Sequence, residues 1–281
     1  MGSEITRETE NNMKYLKNFY KYRYLLYEIV RKNIKLQYRN SVLGIFWTFL
    51  QPLLTTIVLV LVFGGVFGSK RADMVNFPIY LLCGRLIYEF FTQSTKRAMR
   101  SIRLSASVIK KVYVPKYIYP LSNVIANFVT FLISLTVLAC FIIYFYFFSD
   151  KPPIINGYIF LSPVPILILL ILSVGVGLIL STLEVFFKDV EYLYEVFCML
   201  LFYLTPIFYH VDQLGITNRF VKMALMANPL YAITNMFRSC VLYGEMFNMN
   251  HFWYALGFSL LTVIIGLWAF YKKQDKFILH I

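Results

Sequence analysis

The stretch GYIFLSPVPILILLILSVGVGLILSTL, residues 157–183, carries no charged side chain over 27 positions. As an α-helix it would run about 40 Å, more than the ~30 Å hydrocarbon core of a bilayer. Working outward, residues 117–149 are uncharged for 33 positions and residues 42–67 for 26, and residues 246–271 also lack charge. Residues 77–95 are apolar except for Arg85 and Glu89. The whole chain of 281 residues is 59% hydrophobic, 19% aromatic and 15% charged, against roughly 25% charged in an ordinary soluble domain. A soluble core cannot enclose that many long apolar runs at this length. Soluble enzyme, disordered chain and disulfide-stapled secreted domain are excluded. The expected class is an all-α polytopic membrane protein, because helices satisfy their own backbone groups in lipid.

Two shorter uncharged runs are ambiguous: residues 196–211 contain Pro206, and residues 223–237 contain Asn228-Pro229. The basic residues arbitrate. Six transmembrane helices are expected, at about 42–67, 77–97, 117–148, 158–187, 192–210 and 251–271, with both termini cytoplasmic. This arrangement puts twenty Lys and Arg inside: nine before Ser41, seven between the second and third spans, Lys188, and Lys272, Lys273 and Lys276. Six fall outside, namely Lys70, Arg71, Lys151, Arg219, Lys222 and Arg238, while Arg85 lies in the membrane. Such a bias follows the positive-inside rule, and a seventh span would move the basic tail outside. Residues 212–245 are therefore expected as an outward re-entrant pair of half-helices broken at Asn228-Pro229. Residues 1–18 read as a polar tail without the features of a secretory signal. Residues 19–281 read as a single transmembrane domain.

Residues 19–39 differ in kind. Phe19, Tyr22, Leu26, Val30 and Ile34 share one helical face, with Leu25 and Ile29 beside them; Glu28, Lys32, Lys35 and Arg39 line the other. A basic amphipathic helix beside a span belongs in the cytoplasmic interface, as a headgroup anchor or as part of a substrate route. The four cysteines, Cys83, Cys140, Cys198 and Cys240, stand singly in apolar runs and read as small buried hydrophobes. No GxxxxGK[ST] loop occurs, so this chain is not expected to bind or hydrolyse ATP. No HExxH or GxSxG motif is present, and His210, His251 and His280 lack metal-binding spacing. Arg85 and Glu89, four apart, can pair on one helix face. With Glu184 they make up a sparse set of intramembrane ionisable groups, fewer than an ion-coupled carrier usually needs. Six spans without an engine imply half of a translocation path, powered by another chain.

Five stretches occur in a telling order. Tyr38-Arg39-Asn40-Ser41-Val42-Leu43-Gly44-Ile45-Phe46-Trp47 leads into Gln51-Pro52-Leu53 and Val62-Phe63-Gly64. Val108-Ile109-Lys110-Lys111-Val112-Tyr113-Val114-Pro115 and Phe186-Phe187-Lys188-Asp189-Val190 follow. Phe202-Tyr203-Leu204-Thr205-Pro206-Ile207-Phe208-Tyr209 and Asn228-Pro229-Leu230, with Arg238 nine residues beyond Pro229, complete the series. Together, over roughly residues 30–270, the chain resembles the permeases of ABC exporters for O-antigen, teichoic acid and capsular polysaccharide. Arg85, Tyr88 and Lys188 stand where that family usually has an apolar residue, Trp and Arg.

The resemblance implies a homodimer of permeases with two ATP-binding subunits, which hold the ATP and Mg. The implied cargo is a polysaccharide on polyprenyl-pyrophosphate or another lipid, crossing the cytoplasmic membrane of a bacterium or archaeon. No metal site and no nucleic-acid partner are expected. Aromatic faces stack on sugars without demanding one hydrogen-bond pattern, so Phe46, Trp47, Phe49, Tyr203, Phe208 and Tyr209 are candidates for the substrate path. Arg31, Lys35 and Arg39 could receive a lipid pyrophosphate, or simply attract anionic lipid. Lys110, Lys111, Tyr113, Pro115, Lys188 and Asp189 lie in the two loops that, by the resemblance, take up the ATPase's movement. A permease of the same fold for another amphiphile (a lipid, drug or small glycolipid) is the alternative. An integral-membrane transferase would need a clustered acid/base site, which the sequence lacks.

Overall fold

The computed structural model describes residues 21–39, 41–67, 76–112, 114–149, 152–209 and 219–280. Among these the regular elements are all helical, with no strand. Three helices are long and apolar enough to cross a membrane, Ile118–Phe148, Gly157–Phe186 and Met249–His280, and a shorter apolar one covers Phe46–Val62.

The first helix, α1 (Arg23–Tyr38), lies along α5 (Ile118–Phe148) and buries Val30. Three polar ties fix it: Asn33 Nδ2 donates to Ser122 Oγ at 3.4 Å, Gln37 accepts from Arg97 at 2.7 Å, and the Tyr38 and Thr48 hydroxyls meet at 2.5 Å. The next helix, α2 (Phe46–Phe67), starts four residues later than the sequence suggests. Gly44 adopts φ +53° and its N–H donates to Ser41 Oγ at 3.1 Å, so residues 41–45 form turns instead of helix. Pro52 sits inside α2 and cannot donate to the Thr48 carbonyl; Ser134 Oγ of α5 supplies that donor at 3.2 Å.

At the centre stands α3 (Phe77–Leu104), packed on α2, α5 and α6 (Pro163–Phe186). It continues seven residues past the expected 97, because nothing breaks the helix and Arg100 and Arg103 find carboxylates there. A four-residue turn, α4 (Ala106–Ile109), follows. The last long helix, α10 (Met249–Lys273), packs most extensively on α6. Small residues allow the approach: a Cβ on Gly175 would lie 2.6 Å from Val263 N, and one on Gly266 would lie 2.7 Å from Gly175 O.

Between them, α7 (Val190–Leu204) stops short of the expected 210, just before Pro206. Two short helices, α8 (Arg219–Met226) and α9 (Pro229–Arg238), flank the Asn228-Pro229 break; residues 212–218 of the expected re-entrant segment lie outside the described residues. Asn228 serves both sides of the break. Its Oδ1 caps α9 by accepting from Leu230 N at 3.0 Å, and its Nδ2 donates to Thr205 Oγ1 at 3.1 Å beyond the end of α7. A π-helical turn, Ser239–Tyr243, follows α9, and the chain closes on α11 (Phe277–His280).

The bundle has two distinct ends. At one, α4, the foot of α6, the start of α7 and the foot of α10 gather, joined by Arg103–Glu191, Lys116–Gln274 and Phe186–Phe277 contacts. At the other, Ser149 meets Asn76, Asn156 donates to Gly244 O, and Tyr80 donates to Tyr209 O. The loops expected in the cytoplasm thus share one end, and the described loops expected outside share the other. Cys83, Cys198 and Cys240 are buried as expected, but Cys140 is exposed on α5.

Candidate functional site

Arg31, Lys35 and Arg39 fall on one exposed stripe of α1, as i, i+4 spacing dictates, together with Glu28 and Lys32. With Leu36 these residues line an open concavity of about 690 Å³. Four cations against one carboxylate make it a cationic trough at the end of the bundle that holds α4.

The six aromatics form two separate groups. Phe46 and Trp47 are exposed at the start of α2, and Phe46 stacks on Phe49 at 5.9 Å. On α7 and the segment beyond it, Tyr203 is 62% exposed, Tyr209 OH donates to Tyr203 O at 2.5 Å, and Phe208 packs edge-on to Phe202 at 5.2 Å. α2 packs mainly on α5 and α3, whereas α7 packs mainly on α3 and α6. Large aromatics left uncovered on two helices form surface available to lipid, to cargo or to a second chain.

The two loops assigned to coupling do come together. Lys110, Lys111, Lys188 and Asp189 are all exposed and Pro115 is half-buried, while Tyr113 lies outside the described residues. An ion cluster joins their flanks. Arg103 Nη2 reaches Glu191 at 2.8 Å and its Nε lies 2.9 Å from Glu184 Oε1; Arg100 reaches Glu191 at 2.6 Å and Glu195 at 3.4 Å. The Glu184 side chain is fully buried and neither of its oxygens receives a well-aligned hydrogen bond, so the 2.9 Å contact is an ion pair without hydrogen-bond geometry. Nearby, burial lowers the Lys116 ammonium below the usual lysine range, partly offset by Asp275. Arg85 and Glu89 pair as their spacing predicts, at 2.6 Å, and remain partly exposed.

One strong feature escapes a sequence reading. Arg238, counted above as an outside charge, is 1% exposed and buried within the protein. Its guanidinium donates to Pro206 O at 2.7 Å, to Tyr80 O at 2.9 and 3.2 Å, and to Ile207 O at 3.4 Å, and stacks 3.4 Å from the Tyr80 ring centroid. Pro206 and Ile207 lie in the irregular segment beyond the end of α7, so the planar, five-donor guanidinium carried on α9 satisfies their carbonyls and ties that segment to Tyr80 of α3. Gly84 makes room for it: a Cβ there would lie 2.5 Å from Arg238 Nη2. The legible signal was the lone Arg nine residues after Asn228-Pro229.

A family model described as "ABC-2 type transporter" matches residues 24–242, from α1 through the π-helical turn. The chain belongs to this family. The matched range of this ABC-2 transporter chain includes the cationic stripe, both aromatic groups, both loops and Arg238. It is 29% identical over 254 residues to the O-antigen export system permease protein RfbA of Klebsiella pneumoniae, covering 90% of this chain and 93% of that one. It is 25% identical over 247 residues to the polysialic acid transport protein KpsM of Escherichia coli, covering 87% and 91%. It is 21% identical over 248 residues to the capsule polysaccharide export inner-membrane protein CtrC of Neisseria meningitidis serogroup B, covering 88% and 90%.

Proposed function

We propose that this chain is the transmembrane subunit of an ATP-driven exporter that moves lipid-linked polysaccharide across the cytoplasmic membrane. The observation that carries the reading is the similarity, over about nine-tenths of each chain, to three relatives named for O-antigen export, polysialic acid transport and capsule polysaccharide export. In this reading two copies form the path and two ATP-binding subunits dock beneath them, holding ATP and Mg. The chain itself binds no nucleotide and performs no catalysis. It crosses the membrane six times with both termini cytoplasmic, and residues 212–245 dip back from the outer face. The two-ended bundle supports this orientation, since the strongly basic segments share an end.

The residues divide the work. The Arg31, Lys35 and Arg39 stripe receives the charged linkage of the lipid carrier from the inner leaflet, where several donors can share phosphate charge. Two copies set face to face bring the α2 and α7 aromatics to a common route on which the glycan slides. Lys110, Lys111, Lys188 and Asp189 meet the ATPase. Deletion of the chain is expected to leave glycan lipid in the inner leaflet and strip polysaccharide from the surface, with recovery only when chain and ATPase are both supplied. Normal surface polysaccharide in the deletion strain would refute the function.

A further inference from the structure

Beyond the family match, residues 274–280 fold back under the bundle. Phe277 is wholly buried in a cluster with Ile102, Ile109, Tyr119, Leu178, Val185 and Phe270. Its ring lies edge-on to Phe270 at 5.1 Å and to Phe186 at 5.9 Å. Its neighbours Ile278 and Leu279 are exposed, at 49% and 81%, so burial is specific to this one ring. Lys116 Nζ holds the segment by donating to Gln274 O at 2.5 Å, and Lys273 Nζ sits 5.0 Å from the Phe186 ring centroid.

The members of this cluster come from four places: the α3–α4 junction, the start of α5, the foot of α6 and the foot of α10. Ile109 is the last residue of α4, one before Lys110, and Phe186 precedes Phe187-Lys188-Asp189. The Arg103, Glu184 and Glu191 ion cluster ties the end of α3, just before α4, to the foot of α6 and the start of α7 with polar contacts. The solvent-facing part of that cluster, Arg103 with Glu191, tolerates rearrangement, whereas a close-packed ring between elements leaves little room for relative movement. We infer that Phe277 is a positioning residue for energy coupling, locking α4 and the 186–190 turn to the foot of α10 so that all three move as one body. This rests on the export reading for its purpose, but the lock itself does not.

The test uses the full chain in lipid nanodiscs, with spin labels on exposed sites, Val108→Cys and Lys188→Cys, in a Cys140→Ser background. The distance distribution should be narrow with Phe277 intact and broaden in Phe277→Ala, with smaller broadening in Phe277→Leu and none in Leu279→Ala. Lys116→Met removes the tie without opening a cavity and should broaden it too, while Lys116→Arg should restore it. In the assembled complex, Phe277→Leu and Lys116→Met should lower polysaccharide exported per ATP hydrolysed by about fivefold or more, with ATPase association retained. Unchanged distances in Phe277→Leu and Lys116→Met would overturn the lock. Broadened distances with wild-type export per ATP would overturn the coupling role. A wild-type chain that associates with no ATPase would instead defeat the export reading, before any variant is compared.

Discussion

Replacing Arg238 by methionine keeps an unbranched stem and removes every donor. The carbonyls of Pro206 and Tyr80 then lose charged donors at 2.7 and 2.9 Å. Hydrogen bonds to charged groups contribute about 1.5–3 kcal/mol each, so the gross loss is about 3–6 kcal/mol. Freeing a buried cation from its desolvation cost opposes this, and the expected net loss is about 3 kcal/mol. At about 2–4 °C per kcal/mol for a chain of this size, the thermal midpoint in detergent should fall by roughly 6–12 °C. Arg238→Lys should lie between, because a point charge cannot stack on Tyr80 or reach three carbonyls at once. Gly84→Ala should also destabilise, since its Cβ would stand 2.5 Å from Nη2. In the Met background that clash is gone, so the two changes should cost less together than the sum of each alone. A Met variant melting within about 2 °C of wild type, or a Gly84→Ala cost equal in both backgrounds, would refute the anchoring role of Arg238.

Arg103→Met should cost about 3 kcal/mol by leaving the fully buried Glu184 carboxylate without its nearest cation, and Arg103→Met/Glu184→Leu should recover part of the loss in the same melting assay. Equal midpoints for the single and double variants would show that the pair is not coupled. Trp47→Leu and Tyr209→Leu should reduce surface polysaccharide while ATPase association persists, because Leu keeps apolar volume but has no flat face; full export with both would return these rings to ordinary packing or lipid contact. Membrane-impermeant thiol reagent applied to cells should label Ile155→Cys and spare Lys276→Cys. Labelling of Lys276→Cys from outside would refute the six-span topology.

Residue order alone was enough to identify the helical membrane class, the long helices α2, α5, α6 and α10, the amphipathic α1 and the Asn228-Pro229 break. Those follow from local rules: lipid forbids unsatisfied backbone, so an uncharged run of sufficient length must be a helix, and Pro lacks the donor that would continue one. The spacing of Arg85 and Glu89, and of the basic stripe on α1, was legible for the same reason, because one helix fixes its own i, i+4 neighbours. Contacts between helices were not legible. Arg238 looked like an outside charge because a charge count knows position along the chain and not which carbonyls lie nearby; its partners are 158 and 32 residues away, at Tyr80 and Pro206. Nothing in the order Phe277-Ile278-Leu279 marks the first for burial over the other two; packing buries Phe277 and leaves its neighbours exposed. Glu184 found its cation on another helix, and the two aromatic groups fell on helices whose main packing partners differ. Periodicity decides which face of a helix is apolar, but which face meets which is set by close packing and polar satisfaction across the whole bundle, and that only the tertiary structure could decide.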